Sequence, residues 1–275
     1  MPGHLYIVST PIGNLGDLSP RAVKTLASVQ LVLAEDTRHS APMLAGVGVT
    51  TPLQSYHEHK EARATPAIIA RLVAGEDIAL ISDAGTPLLS DPGARLVRAA
   101  LDAGIPVVPV PGASALLAAL VASGIGCDRF TFYGFLPRKG RERDELFRDI
   151  VALRHTAVIY EAPTRVAATL AALDAMGAGE RDGVVARELT KRFEELRRGT
   201  VRELARYHEA SPPRGEVVIV LAGASPQVAM SEEDARQRAR ALRDGGASAR
   251  EVTRALIEEH GLARNLAYRL THEPE

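Results

Sequence analysis

Two α/β units followed by a small helical bundle is the architecture predicted for this 275-residue sequence. Three observations point to it. Over residues 1–120, short apolar runs alternate with helix-period patterns, as in a mainly parallel sheet covered by helices on both faces. Over 121–225 the alternation continues, but several extended segments crowd together, which predicts a mixed sheet. From 226 to 275 there are helical patterns and no strand. Hydrophobic residues at 46% and charged residues at 24% leave enough apolar material for a sizeable core.

In the first unit, LYIVST (5–10) reads as a strand. PRAVKTLASV (20–29) reads as a helix with Ser19 as N-cap and Pro20 at its first position. LVLAEDT (31–37) is a second strand running into charge. KEARATPAIIARLVAG (60–75) is a helix with Pro66 in its first turn and Gly75 as its stop. IALIS (78–82) is the third strand. GARLVRAALDAG (93–104) is a helix for which Asp91 and Pro92 supply the N-cap and first position. VVPVPG (107–112) and ASALLAALVASG (113–124) add a strand and a buried helix, and the hinge to the second unit is placed near 113–128.

The second unit begins with the strand FTFYGFL (130–136), the amphipathic helix ERDELFRDIVAL (142–153) and the strand AVIYEAP (157–163). TRVAATLAALDAMG (164–177) is a helix ending at Gly177. GVVARELT (183–190), EELRRGT (194–200) and GEVVIVLAG (215–223) read as strands, with TVRELARYH (200–208) a helix among them. Beyond the loop ASPQVAM (224–230), three helical patterns are separated by glycine-containing turns. Ser248 and Glu251 have capping-box spacing. The tail reads equally as a recognition bundle or as a cap on the fold.

Net charge is −1, which does not announce a nucleic-acid binder, although the RKGRER run (138–143) offers a local basic patch or a solvated loop. Aromatic residues are scarce at 4%, so base-stacking platforms are few. The single cysteine, Cys127, excludes an internal disulfide, suits a reducing compartment and reads as a packing residue. No apolar run approaches the roughly 18 residues of a membrane span. The N-terminus has no signal-peptide pattern, so a cytoplasmic protein is expected. His57 and His59 lack further metal partners, and no metal site is expected. A serine-hydrolase elbow is also missing.

Chemistry concentrates at strand ends. STPIGN (9–14), AEDTR (34–38), DAGTPLLSDPG (83–93) and PGAS (111–114) all follow strands, so in a parallel sheet they line one cleft. Their Gly and Pro content brings backbone N–H and C=O groups close to a ligand. The third loop matches neither G-x-G-x-x-G nor G-x-x-x-x-G-K-[ST], which sets dinucleotides and nucleoside triphosphates aside as first guesses. S-adenosylmethionine (SAM), with adenine, ribose and amino-acid parts and no phosphate, fits such a cleft.

The set LYIVSTPIGNLGDLSPRAV, LVLAEDTRHS, ALISDAGTPLLSDPG, VVPVPGASA, DRFTFYGFLPRKGRER, VIYEAPTRV and ARELTK resembles the class III, tetrapyrrole-methylase-like SAM methyltransferases. More narrowly, it is similar to the ribosomal RNA small-subunit methyltransferase I family, from about residue 4 to the tail. The resemblance implies two α/β domains, 1–120 and 121–225, with SAM in the cleft between them, and a C-terminal helical domain, 226–275. It implies a homodimer and methyl transfer to the ribose 2′-oxygen of a cytidine in the decoding region of 16S rRNA. Implied SAM contacts are Pro11, Ala84, Gly85, Thr86, Pro87, Leu88, Ser114, Ala115, Tyr160 and Ala186. Gly85-Thr86-Pro87 stands where many porphyrin-methylating relatives carry Gly-Asp-Pro, so equivalence with those enzymes is not implied.

A ribose hydroxyl is a poor nucleophile, so a positioned base or charge-stabilising group should help it. The candidates are Asp36, Arg38, Glu161 and Lys191. The alternative for each is a salt bridge or a helix-start charge, and residues 35–38 can pair internally. Near-neutral charge favours a preassembled subunit over protein-free rRNA as substrate. Two other readings stay open: a tetrapyrrole methyltransferase of the same fold, and a non-catalytic ribosome-assembly binder.

Overall fold

The computed structural model describes residues 1–224, 231–258, 262 and 264–272. Five parallel strands form the first sheet: β1 (Leu5–Val8), β2 (Leu31–Ala34), β3 (Leu53–Ser55), β4 (Ile78–Ile81) and β5 (Val107–Val110), in the order β3-β2-β4-β1-β5. The strand runs are apolar throughout because both faces are covered. On one face Leu26, Val32 and Leu44 meet Ala79 and Ile81; on the other Leu33, Ile68, Leu72 and Leu80 meet Leu96. Each such fully buried Leu, Ile or Val side chain contributes about 1.5–3 kcal/mol.

The covering helices are α1 (Pro20–Ser28), α2 (Thr37–Gly46), α3 (Glu58–Val73) and α4 (Ala94–Asp102). Ser19 caps α1 as expected, its Oγ accepting the Ala22 N–H. Helix α2 and strand β3 were not anticipated. Helix α3 starts two residues before the expected segment, so Pro66 lies in its interior rather than in its first turn. The N-terminus of α4 also differs. Gly93 is its N-cap, and Glu61 of α3 reaches across to accept the Gly93 and Arg95 N–H groups at 3.1 Å each. Capping comes from a neighbouring helix, which frees Asp91 from the role the sequence suggested.

The second sheet has the order β6-β7-β10-β8-β9, from β6 (Phe130–Phe135), β7 (Thr156–Glu161), β8 (Asp182–Arg187), β9 (Glu195–Thr200) and β10 (Val217–Leu221). Only β6 and β7 pair in parallel, so the sheet is mixed as expected. Helix α5 (Ala115–Ser123) lies on one face, where Leu116, Ala119 and Leu120 pack against Val158, Val184 and Val218. On the other face lie α6 (Arg141–Ala152), α7 (Val166–Leu173) and α8 (Val201–Ala210). The expected 164–177 helix is broken into three pieces: a single turn at Pro163–Arg165, α7, and a wider turn at Asp174–Ala178 in which Gly177 takes a φ of 96°.

The tail helices α9 (Glu232–Asp244), α10 (Ala249–Glu258) and α11 (Arg264–His272) share a core of Ala235, Ala239, Val252, Leu256, Ala267 and Leu270. The Ser248–Glu251 capping box forms, with reciprocal bonds between backbone and side chains. Most of the expected 224–230 loop lies outside the described residues. Cys127 is exposed rather than packed. Among the described residues, no helix is long and apolar enough to cross a membrane.

Candidate active site

A cavity of about 350 Å³ opens between the two sheets, within the 300–1,000 Å³ range of small-molecule sites. Its first wall is the loop after β4: Asp83, Ala84, Gly85, Thr86, Leu89, Ser90 and Asp91. Opposite stand Tyr160, Glu161, Ala162 and Pro163 after β7, and Gly215 to Val218 entering β10. Ile12, Ala115 and Phe135 close the ends. The site lies at the carboxyl edge of the parallel sheet, where an open α/β sheet holds its ligands.

The floor is held by short polar contacts. Thr10 and Gly85 exchange backbone hydrogen bonds at 2.8 and 3.1 Å, and the Thr10 hydroxyl donates to the Ser82 carbonyl at 3.1 Å. The Thr86 hydroxyl donates to the Ala113 carbonyl at 3.2 Å. Gly85 has a φ of 83°, and a Cβ there would press on Ile12 at 3.1 Å. The residue is therefore fixed by both conformation and space. Leu88 and Ser90 in the same loop, and Glu188 and Thr190 in the facing ARELTK loop, have φ between 51° and 72°. These are the four non-glycine residues with positive φ among the described residues. Such strain collects where a fold holds a functional loop in one shape.

Of the ten residues implied as SAM contacts, Ala84, Gly85, Thr86, Ala115 and Tyr160 line the cavity. Pro11 and Pro87 lie in its loops without reaching the lining. Leu88 packs back onto the core, Ser114 caps α5 by accepting the Leu117 N–H, and Ala186 is fully buried beneath the site. Tyr160 is anchored by its hydroxyl, which accepts the Leu116 N–H at 3.2 Å, and by Phe132 and Phe135 at ring separations of 4.8 and 5.6 Å. Burial pushes its pKa up. Phe135 reaches Tyr160 because β6 shifts register after Phe132, with Gly134 at a φ of 62°. A bulge of this kind re-aims the side chains beyond it.

The four catalytic candidates fall in three places. Asp36 caps α2, accepting the Arg38 N–H, and pairs with the exposed Arg38 guanidinium at 2.6 Å; these hydrogen bonds hold its pKa at about 2. Both residues line a separate outer groove with Glu35, Ser55, His57 and Asp83. Asp83 borders groove and cavity alike, and its Oδ1 accepts the Asp36 N–H at 3.0 Å. Glu161 is buried at the cavity wall, its oxygens held by Thr169 Oγ1 at 2.6 Å, the Ala162 N–H at 2.9 Å and Arg165 at 3.2 Å. Lys191 bridges Glu188 and Glu216 at 3.0 and 3.1 Å, and its aliphatic stem lies where a Cβ on Gly13 would be. That contact ties the β1 loop to the rim of the second sheet.

Asp91 was missed as a site residue. It lines the cavity, and burial together with the Glu35 and Asp83 carboxylates raises its pKa to about 7. The signal available in the sequence was the crowding of acids, Glu35, Asp36, Asp83 and Asp91, at two strand ends. Among the described residues, neither Asp83 nor Asp91 has a basic partner, and no group of three His, Cys, Asp or Glu side chains could hold a metal ion. Alanine and glycine walls, an aromatic end and unpaired carboxylates suit a nucleoside-sized ligand bearing positive charge.

Residues 4–205 match the family of tetrapyrrole (corrin/porphyrin) methylases. The chain is 47% identical over 275 residues to the ribosomal RNA small subunit methyltransferase I of Synechocystis, covering 99% of each chain. It is 44% identical to the Pseudomonas aeruginosa protein of that name, covering 80% of this chain and 79% of the relative. Among solved structures, uroporphyrin-III C-methyl transferase from Thermus thermophilus, complexed with S-adenosyl homocysteine, superposes with a TM-score of 0.59 at 20% identity, covering 80% of this chain and 97% of that one. A diphthine synthase gives a TM-score of 0.62 at 15% identity, covering 80% and 90%. At those identities the structural likeness speaks for the fold alone. Fold and sequence together identify the chain as a tetrapyrrole (corrin/porphyrin) methylase family member, and within that family it belongs to the ribosomal RNA small subunit methyltransferase I proteins.

Proposed function

We propose that this protein uses SAM to methylate the ribose 2′-oxygen of a cytidine in the decoding region of 16S rRNA, acting on the assembled small subunit. One observation carries the reading: a nucleoside-sized cavity with unpaired carboxylates abuts, through Asp83, an outer groove lined by Asp36, Arg38 and His57. The names of these relatives support rRNA of the small subunit as the substrate class. Bound SAM supplies an activated, positively charged methyl group. The chain's task is then to align the acceptor and manage its proton.

In this reading Ala84, Gly85, Thr86, Ala115 and Tyr160 form the donor walls, backed by Pro11, Pro87, Leu88, Ser114 and Ala186. Arg38, 89% exposed at the groove, meets the RNA backbone, while Asp36 fixes its direction. Lys191 sets the rim charge with Glu216. Glu161, held by Thr169, Arg165 and the Ala162 N–H, positions the β7 end. The protein works in the cytoplasm as a homodimer, for which exposed Leu117 and Val121 of α5 offer apolar surface.

The test is transfer of labelled methyl from SAM to unmodified small subunits, to protein-free 16S rRNA and to a porphyrinogen in parallel. Label in 2′-O-methylcytidine, strongest from subunits, is the expected result. Label confined to the porphyrinogen, or SAM binding without any transfer, would replace the proposal with the tetrapyrrole or the binding-protein reading respectively.

A further inference from the structure

Three acids meet at the carboxyl edge of the first sheet: Glu35 after β2, Asp83 after β4 and Asp91 eight residues further on. A sheet edge that must admit an RNA strand gains nothing from bare carboxylates, which repel phosphate. The other acids at the cavity are neutralised, Glu161 by Arg165 and Glu216 by Lys191. Asp91 faces Glu35 and Asp83 from the strand ends and Tyr160 from the second sheet, and no cation is among them. The basic side chains lining the outer groove with Glu35 are His57 and Arg38, and Arg38 is paired with Asp36. The loop that presents Asp91 is locked by Leu88 and Ser90 at positive φ and by the Glu61 cap on α4. The carboxyl is therefore held in place beside its acidic neighbours.

We propose that Asp91, backed by Asp83 and Glu35, is a charge-reading residue that favours the sulfonium-bearing methyl donor over its neutral-sulfur product, and that donor binding expels a proton from Asp91. The inference rests on the reading of the cavity as the donor site. A bound positive charge offsets the repulsion among the three carboxylates, so Asp91 ionises as the complex forms. Once the sulfur is neutral, that repulsion returns and product is released more readily. The arrangement turns the change in ligand charge during the reaction into a difference in affinity.

Calorimetric titration of the full-length protein with SAM, and separately with S-adenosylhomocysteine, in two buffers of different ionisation enthalpy tests this without any turnover. The expected result is release of about half a proton per SAM at pH 7, rising toward one at pH 6. Release with S-adenosylhomocysteine is expected to be much smaller. SAM affinity should fall by up to about tenfold per pH unit below 7, while product affinity stays nearly level. In Asp91→Asn the released proton disappears, and SAM binding at pH 8 weakens by at least about tenfold with product binding within about twofold. Equal proton release for both ligands, or an unchanged proton in the variant, overturns the inference and leaves the donor site standing. Failure of either ligand to bind overturns the donor site as well. The wild-type titration decides the matter even if the variant does not fold.

Discussion

An ionised Asp91 is expensive to keep folded. Its pKa rises from 3.8 to about 7, so the folded protein holds the proton more tightly than the unfolded chain does. Stability linked to this group is fully present below about pH 4, falls as pH rises, and is lost once pH passes 7. Asp91→Asn removes the charge and is expected to stabilise the protein by about 2–4 kcal/mol at pH 8, with the gain vanishing near pH 4. Urea unfolding at the two pH values measures it. Glu161 is instead enclosed by partners, its oxygens held by Thr169, Arg165 and the Ala162 N–H. Thr169→Val leaves Oε2 buried without its 2.6 Å donor and should cost about 1–3 kcal/mol in the same assay. The sequence marked Glu161 and Lys191 by their places at strand ends. It left Asp91 ambiguous, because the crowding of acids competed with an Asp-Pro pair before a helix, which is also an N-cap signal. Only the unseen reach of Glu61 decided between the two.

Among the elements, long periodic segments were legible and short ones were not. Strands such as IALI and helices such as ERDELFRDIVAL declare themselves by burial and period. Helix α2 contains Pro42 and has a weakly amphipathic face, and β3 has three residues, so neither carries a pattern long enough to read. The β6 bulge was equally hidden, because Gly134 in a strand marks a bulge only once its partner's register is known. Helix α5 shows how an element serves the cavity. Its Ser114 cap fixes the first turn that sets Ala115 in the wall, and Tyr160 holds the next N–H. Ser114→Ala should cost about 1 kcal/mol in stability. It should also weaken SAM binding, measured by calorimetry, since the wall is anchored through that turn.

For the whole molecule, the tail is a separate packing unit with a core of its own. A chain ending at Ala224 is therefore expected to retain both sheets and SAM affinity within about twofold. If the helices contribute to RNA capture, methylation of small subunits by that chain falls while SAM binding does not, and comparing the two assays separates a recognition bundle from a cap. Acidic and basic residues nearly balance across the tail, so its charge offered no way to choose in advance.

The position of β1 has a consequence for biosynthesis. It sits between β4 and β5, with Leu5 paired to Ile78 and Val8 to Val110. Once made, β1 must therefore wait for more than 70 further residues before a neighbour exists. At about 5–20 residues per second that is a delay of roughly 4–15 s, during which an apolar LYIV segment has unsatisfied edges on both sides. Closure of the first sheet is thus timed by translation rather than by local folding, and a stall before Ile78 would leave nascent chains with an exposed aggregation-prone strand.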